Sequence, residues 1–302
     1  MSEHYPRIRI QAESGAMLAR EALVICFYMH RRHPEVAPGL LRALEHYVHA
    51  VGPQALGLYG DSEGEWQELD DAAWENIRAE LRDGPGGITQ LSDASAENRY
   101  GFEYFGKSPD APLVKPSPNA TCAAYFKLPT ELLEERSPDW VRALALRLAA
   151  ALPFCSGHTG LALAGALDLV GVPERVAENC FRYPGLDVLP LEHVAWEIGT
   201  KVRGPSWLTF LGQPALNGLG GVTGLRSHLH SPGTTVESLD GDRAVITLGL
   251  WPQAGDTEQG KTLPAYRELA RVLEPWLFRE EHPYSLGFTP EDLLRWERRF
   301  LD

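Results

Sequence analysis

No stretch of this chain approaches the roughly 18 uncharged apolar residues that a membrane-spanning helix needs. The longest apolar run near the start, Ala22 to Met29, is short and bounded by Glu21 and His30. Ile8 to Ala19 lacks the charged, apolar, then small-residue order of a secretory leader, so a cytoplasmic protein is expected. Cysteine is scarce: Cys26, Cys122, Cys155 and Cys180 are far apart and form no Cys-x-x-Cys pair. That spacing excludes a zinc knuckle and a disulfide framework, and reduced, buried thiols are expected. Positive charge is also in deficit, with 28 Lys and Arg against 41 Asp and Glu and a formal net charge of −13. A nucleic-acid footprint needs a basic face, so direct binding to DNA or RNA is not expected.

What remains reads as ordinary globular protein, 44% hydrophobic and 23% charged over 302 residues. No flexible linker divides it, and a single domain over residues 1–302 is expected. The acidity is not spread evenly. Asp61, Glu63, Glu65, Glu68, Asp70, Asp71, Glu75, Glu80 and Asp83 are opposed only by Arg78 and Arg82, leaving this segment at −7. Two readings of it stay open: a solvated loop and helix, or a docking surface for a cationic partner. Glu63, Glu65, Glu68, Asp70 and Asp71 surround Trp66, an aromatic anchor ringed by charge, and these six are the candidate partner-binding residues. The bland alternative turns Trp66 inward at the start of a helix.

Hydrophobic periodicity predicts an α+β chain with a mixed or antiparallel sheet. Strands are expected at Ile8–Ile10, Glu21–His30, Ala55–Tyr59, Tyr100–Phe105, Thr121–Leu128 and Trp207–Leu211, and a hairpin across Asp240-Gly241. Helices are expected from Pro38 to Val51, from Asp70-Asp71 through Leu81, and from Pro138 to Leu152, the last nearly apolar all round and so well buried. Further helices are expected from Ala215 to Leu229, with glycines inside, and from Pro264 to Leu273. Pro109 to Pro118, with four prolines, reads as a loop. The order strand–helix–strand–strand–helix occurs twice, over about 55–152 and 205–275, suggesting pseudo-repeats. Thr289-Pro-Glu-Asp opens a capped C-terminal helix over about 290–302, with Leu293, Leu294, Trp296 and Phe300 on its packing side.

Catalytic constellations are weak throughout. Asn217 to Gly224 is glycine-rich, but the dinucleotide spacing fails at Thr223. Cys155 and His158 lie three apart on a glycine-bracketed stretch, which does not by itself make a nucleophile and base. His30 and His33 flank two arginines, and His228 with His230, read as a strand pair, lack further ligands, so no metal is expected. Asp187, Glu192 and Glu197 form a loose acidic group with nothing to pair them across a cleft. No cofactor is implied.

Certain elements after residue 180 resemble a bacterial family. Arg182-Tyr-Pro-Gly-Leu-Asp187, Gly204-Pro-Ser-Trp-Leu-Thr-Phe-Leu-Gly212, Leu219-Gly-Gly221 and Gly249-Leu-Trp-Pro-Gln-Ala-Gly-Asp256 are similar to those of the type VI secretion immunity proteins that neutralise VRR-Nuc nuclease toxins. The resemblance implies a cytoplasmic bacterial protein that binds a cognate basic nuclease and inhibits it by steric exclusion. It implies no catalysis and no cofactor. The residues alone leave two other classes open: an enzyme with a dispersed active site, and a secretion- or phage-related scaffold.

Overall fold

The computed structural model describes residues 4–95, 97–107, 118–167, 169–280 and 288–302. The chain begins with β1 (Arg9–Gln11), β2 (Met17–Met29) and α1 (His33–Val51), followed by β3 (Leu58–Gly60), β4 (Trp66–Glu68) and α2 (Asp71–Asp83). Next are β5 (Ile88–Ser92), β6 (Gly101–Phe105), β7 (Cys122–Leu128), α3 (Leu132–Glu135), α4 (Pro138–Ala151) and β8 (Ser156–Gly165). Then come α5 (Val172–Arg182), β9 (Asp187–Val188), α6 (Leu191–Glu197), β10 (Leu208–Leu211), α7 (Ala215–Gly218) and α8 (Gly221–His228). The chain closes with β11 (Thr234–Asp240), β12 (Arg243–Leu248), α9 (Pro264–Leu273) and α10 (Pro290–Glu297). This is the α+β class.

Two compact units form, one from 1–24, 156–190 and 201–302, the other from 25–155 and 191–200. Neither is a contiguous half, and one chain crossing falls inside β2. The repeat segments predicted at 205–275 and 55–152 lie one in each unit. In the first unit the strand order is β11-β12-β10-β8, all antiparallel, with β9 pairing β8 in parallel. In the second the order from β7 is β7-β6-β5-β3-β4, again antiparallel, and β4 closes it.

Strand β10 anchors the first unit. Leu208, Thr209, Phe210 and Leu211 are all buried, pairing with β12 on one side and β8 on the other. Trp207, 1% exposed, donates its indole N–H to the Gly249 carbonyl at 3.1 Å. The adjoining core joins Leu211, Leu216, Leu225, Val236 and Ile246 to the stripe of α9, where Leu263, Tyr266, Leu269 and Leu273 are buried as their spacing predicts.

Several expectations need correction. Helix α1 starts at His33, not Pro38: Pro34 takes the first turn, where its missing N–H costs nothing, and Pro38 is carried inside the helix. Glycines at 220 and 221, with φ of +79° and +67°, break the predicted 215–229 helix into α7 and α8. Helix α4, expected to be well buried, is so along one stripe. Val141, Leu144, Ala145, Leu148 and Ala149 form its inner stripe, while Ala143, Arg147 and Ala150 are exposed. Leu294 is 51% exposed, so α10 packs through Leu293 and Trp296. His228 ends a helix, so it does not form a strand pair with His230. The proline-rich stretch, apart from Pro118, lies outside the described residues. Strands β4 and β5 were not anticipated.

Because Trp207 is fully enclosed, Trp207→Ala should cost about 3–5 kcal/mol. Urea unfolding of this variant beside the unchanged chain measures it, and near-native stability would contradict the placement of the strand.

Candidate functional site

Asp61 organises the turn between β3 and β4. One carboxylate oxygen accepts the N–H groups of Glu63 and Glu65, both at 2.9 Å, and the other accepts from the Gln67 amide at 2.9 Å. These bonds, the Gln67 one first, hold its pKa below the usual carboxylate range. Asp61 is thus committed to the turn, and the turn presents Glu63 and Glu65 outward. Every residue of β4 is exposed, including Trp66 at 51%. The inward placement of Trp66 is therefore not what the fold adopts. Trp66 and Glu68 share one face of the strand, with Gln67 on the other.

Helix α2 follows directly. Asp70 caps it, accepting the Ala73 N–H at 2.8 Å, and Asp71 occupies its first turn, where a negative charge suits the helix dipole. Both are exposed. Leu69, Ala73, Ile77 and Leu81 are buried, Trp74 half-buried. All six sequence-predicted residues thus lie on the surface of one hairpin and the helix start that follows it. Between Asp61 and Ile77 the chain contains no Lys or Arg. Arg78 is drawn to Glu75 at 2.7 Å and lies 5.3 Å over Trp74.

A second cluster, in the first unit, was not legible as a group. His158, Asp187, Arg203, Glu297 and Arg299 line a cavity of about 40 Å³. Asp187 stands 3.6 Å from His158 and 3.5 Å from Arg203, and Arg203 also reaches Glu280 at 3.8 Å. Arg203 and Arg299 both lie over the ring of Trp296, at 5.2 and 3.7 Å. Arg299 also donates to the Pro184 carbonyl at 2.9 Å. Burial lowers His158 to a pKa of about 4 despite Asp187, and Arg203 adds to the lowering. At neutral pH the imidazole is therefore uncharged, and its approach to Asp187 is not an ion pair. A volume of about 40 Å³ has room for a few water molecules. It is a structural knot joining β8, β9 and α10.

The isolated catalytic candidates fare no better. Burial pushes the Cys155 thiol up, opposite to what a nucleophile needs. Ser156 donates to the Lys201 carbonyl at 2.7 Å. His33 bonds the Tyr104 hydroxyl and His30 the Pro118 carbonyl, each at 2.7 Å, so each ring is engaged by the protein. Gly218 lies against Trp276, where an added Cβ would stand 2.4 Å from the ring, so that glycine serves packing. Glu192 is met by Lys107 at 3.2 Å.

The elements behind the family resemblance meet one another. Gly185 donates to the Ala254 carbonyl at 2.8 Å, and a Cβ there would fall 2.1 Å from the Gln253 carbonyl oxygen. Arg182 bridges to Asp256 at 3.2 Å and Glu258 at 2.7 Å. Asp256 in turn accepts the N–H groups of Glu258 and Gln259. Only glycine permits this approach of two backbones.

Comparison with solved structures finds a similar fold. The Pseudomonas aeruginosa T6SS protein PA0821 matches with a TM-score of 0.75 at 19% identity, over 98% of this chain and 88% of that one. At the level of sequence, residues 39–300 match the family described as type VI immunity for VRR-NUC, and the chain belongs to that family. Comparison with curated proteins gives no significant match.

The His158 cluster predicts an acid-sensitive fold. A base with a folded pKa near 4 and an unfolded value near 6.5 binds fewer protons when folded. Its contribution is fully present above pH 6.5 and is lost as pH falls toward 4, by about 2–4 kcal/mol. Urea unfolding at pH 7, 6, 5 and 4 should show this slope, and His158→Asn should remove that share of it. An unchanged slope in the variant would show that His158 is not the titrating group.

Proposed function

We propose that this chain protects its producer by binding a cognate VRR-Nuc effector directly and covering the surface that the effector uses to hold nucleic acid. Family membership supports the immunity role. The observation supporting the mode is the exposed acidic segment around Trp66, where five carboxylates lie within five positions of a half-exposed indole and no Lys or Arg occurs between Asp61 and Ile77. A nuclease must present positive charge to phosphate, so an acidic protein surface competes for the same groove. Long-range attraction also speeds the encounter, which matters for a toxin that arrives at low concentration. On this reading the protein is a binder acting in the bacterial cytoplasm, without cofactor, and not an enzyme. Its partner is a basic protein and not DNA itself. The raised thiol of Cys155 and the small volume beside His158 favour the binder over the dispersed-site enzyme.

The test is kinetic. Reversing Glu65, Glu68 and Asp71 to Lys should slow association with a cognate VRR-Nuc protein by about tenfold or more at low salt, and flatten the salt dependence. The helix-start cost of Asp71→Lys, about 0.3–1 kcal/mol, is read separately from thermal unfolding. Unchanged on-rates in a folded variant would move the interface elsewhere.

A further inference from the structure

We propose that the outer edge of β4 is a docking strip that receives an extended, basic segment of the partner as an added strand. The inference rests on the binding reading above and specifies its geometry. In the β3–β4 ladder, Asp61 N–H bonds Glu65 C=O and Leu69 N–H bonds Gly57 C=O, and Tyr59 lies opposite Gln67. Antiparallel pairing alternates, so the backbone groups of 65, 67 and 69 turn toward β3 and those of Trp66 and Glu68 turn away. Among the described residues, strand β4 ends its strand order and pairs only with β3. The N–H and C=O of Trp66 and Glu68 are thus offered along an open edge.

Protein edges of this kind are ordinarily blunted, and the contrast within this chain is informative. Strand β11, which ends the strand order of its own unit, is closed on its outer side. Both Nε and Nη2 of Arg226 donate to the Val236 carbonyl, at 3.1 and 2.8 Å, and the pairing slips between Ser238 and Asp240. No side chain among the described residues caps the outer groups of Trp66 or Glu68 in that way. What flanks them instead is charge of one sign: Glu63 and Glu65 before, Glu68, Asp70 and Asp71 after. A second copy of this chain would bring the same carboxylates to the same edge, so like charge selects against self-pairing. A segment with Lys or Arg three positions apart, one on each face, meets both requirements: backbone pairing along the edge, and cations opposite Glu65 and Glu68. Trp66 supplies apolar area beside the added strand.

The backbone component separates from the charge component by proline. The Glu68 N–H faces outward, so proline is tolerated there by the hairpin while its missing donor and its ring obstruct an incoming strand. Glu68→Pro is compared with Glu68→Gln, which removes the same charge and leaves the amide. Binding to a cognate VRR-Nuc protein in EDTA should weaken about tenfold or more in the proline variant relative to the glutamine variant. In parallel, amide exchange of Trp66 and Glu68 in the unchanged chain should be fast when free and slowed about a hundredfold in the complex. The exchange result decides the matter if the proline variant does not fold. Equal affinities of the Pro and Gln variants, with no added amide protection, would overturn strand addition. If the triple lysine variant still slows association in that case, the acidic surface stands and only its geometry is wrong. If neither kind of substitution affects binding, the reading itself falls.

Discussion

Strand β10 has neither a free edge nor an exposed face, and the first unit depends on that enclosure. Its four residues are satisfied by β8 and β12, so the sequence there is free to be apolar on both sides. Trp207 terminates the run by fixing its indole to Gly249, which ties the strand to the turn leading to Trp251. That turn receives Gly185, and Arg182 beside it reaches Asp256. The family-like elements are therefore links in one chain of contacts, each placing the next. Their residue types follow from close packing and buried hydrogen bonding, and they describe a scaffold.

Charge is handled differently in the two units. In the first, partly buried arginines meet partly or fully buried acids: Arg203 lies with Asp187 and Glu280, and Arg9 pairs with Glu21. A buried charge without a partner is expensive, so such groups persist only when neutralised locally. In the second, the segment from Asp61 to Asp83 keeps its surplus in water, where repulsion between carboxylates is screened over about 8 Å at physiological salt. Holding that many like charges on one short hairpin does little for the fold. Asp61 and Asp70 serve local structure, one in the turn and one at the helix cap. Glu63, Glu65 and Glu68 have no structural duty of that kind among the described contacts, which leaves their concentration to be explained by what approaches from outside.

Much of the architecture was legible where one physical signal dominated. The α9 stripe, the Asp240-Gly241 hairpin and the Asp70 cap each follow from a local rule that tertiary contacts did not override. Errors arose where two rules competed. Pro38 looks like a helix start, yet Pro34 performs that role one turn earlier. Glycines inside an apolar run look tolerable, yet consecutive left-handed conformations at 220 and 221 stop the helix. Strand β4 was hidden because three exposed residues carry no alternation to read. The His158 cluster was hidden for another reason: its members are contributed by residues up to 141 positions apart, and only the fold assembles them. The surface bearing Trp66 was visible as charge, but its open edge was not, since edges are properties of pairing.

These two kinds of legibility bear on how an immunity protein of this family can vary. The scaffold contacts couple distant segments, so a change at Gly185 or Trp207 is felt through the whole first unit. The hairpin β3–β4 is coupled to little beyond its own turn and the strand beside it, and its outward residues touch no core. Substitution at Glu63, Glu65, Trp66 or Glu68 therefore changes what the surface attracts while leaving the fold's stability nearly unmoved. On the proposed reading, specificity for one nuclease over another resides where it is least constrained by folding. Strand addition would sharpen that arrangement. Backbone pairing at Trp66 and Glu68 is indifferent to side-chain identity and supplies general affinity, while the alternating side chains choose among partners. A surface so divided keeps binding as it changes preference, because its hydrogen bonds belong to the main chain and its discrimination to the charges around it.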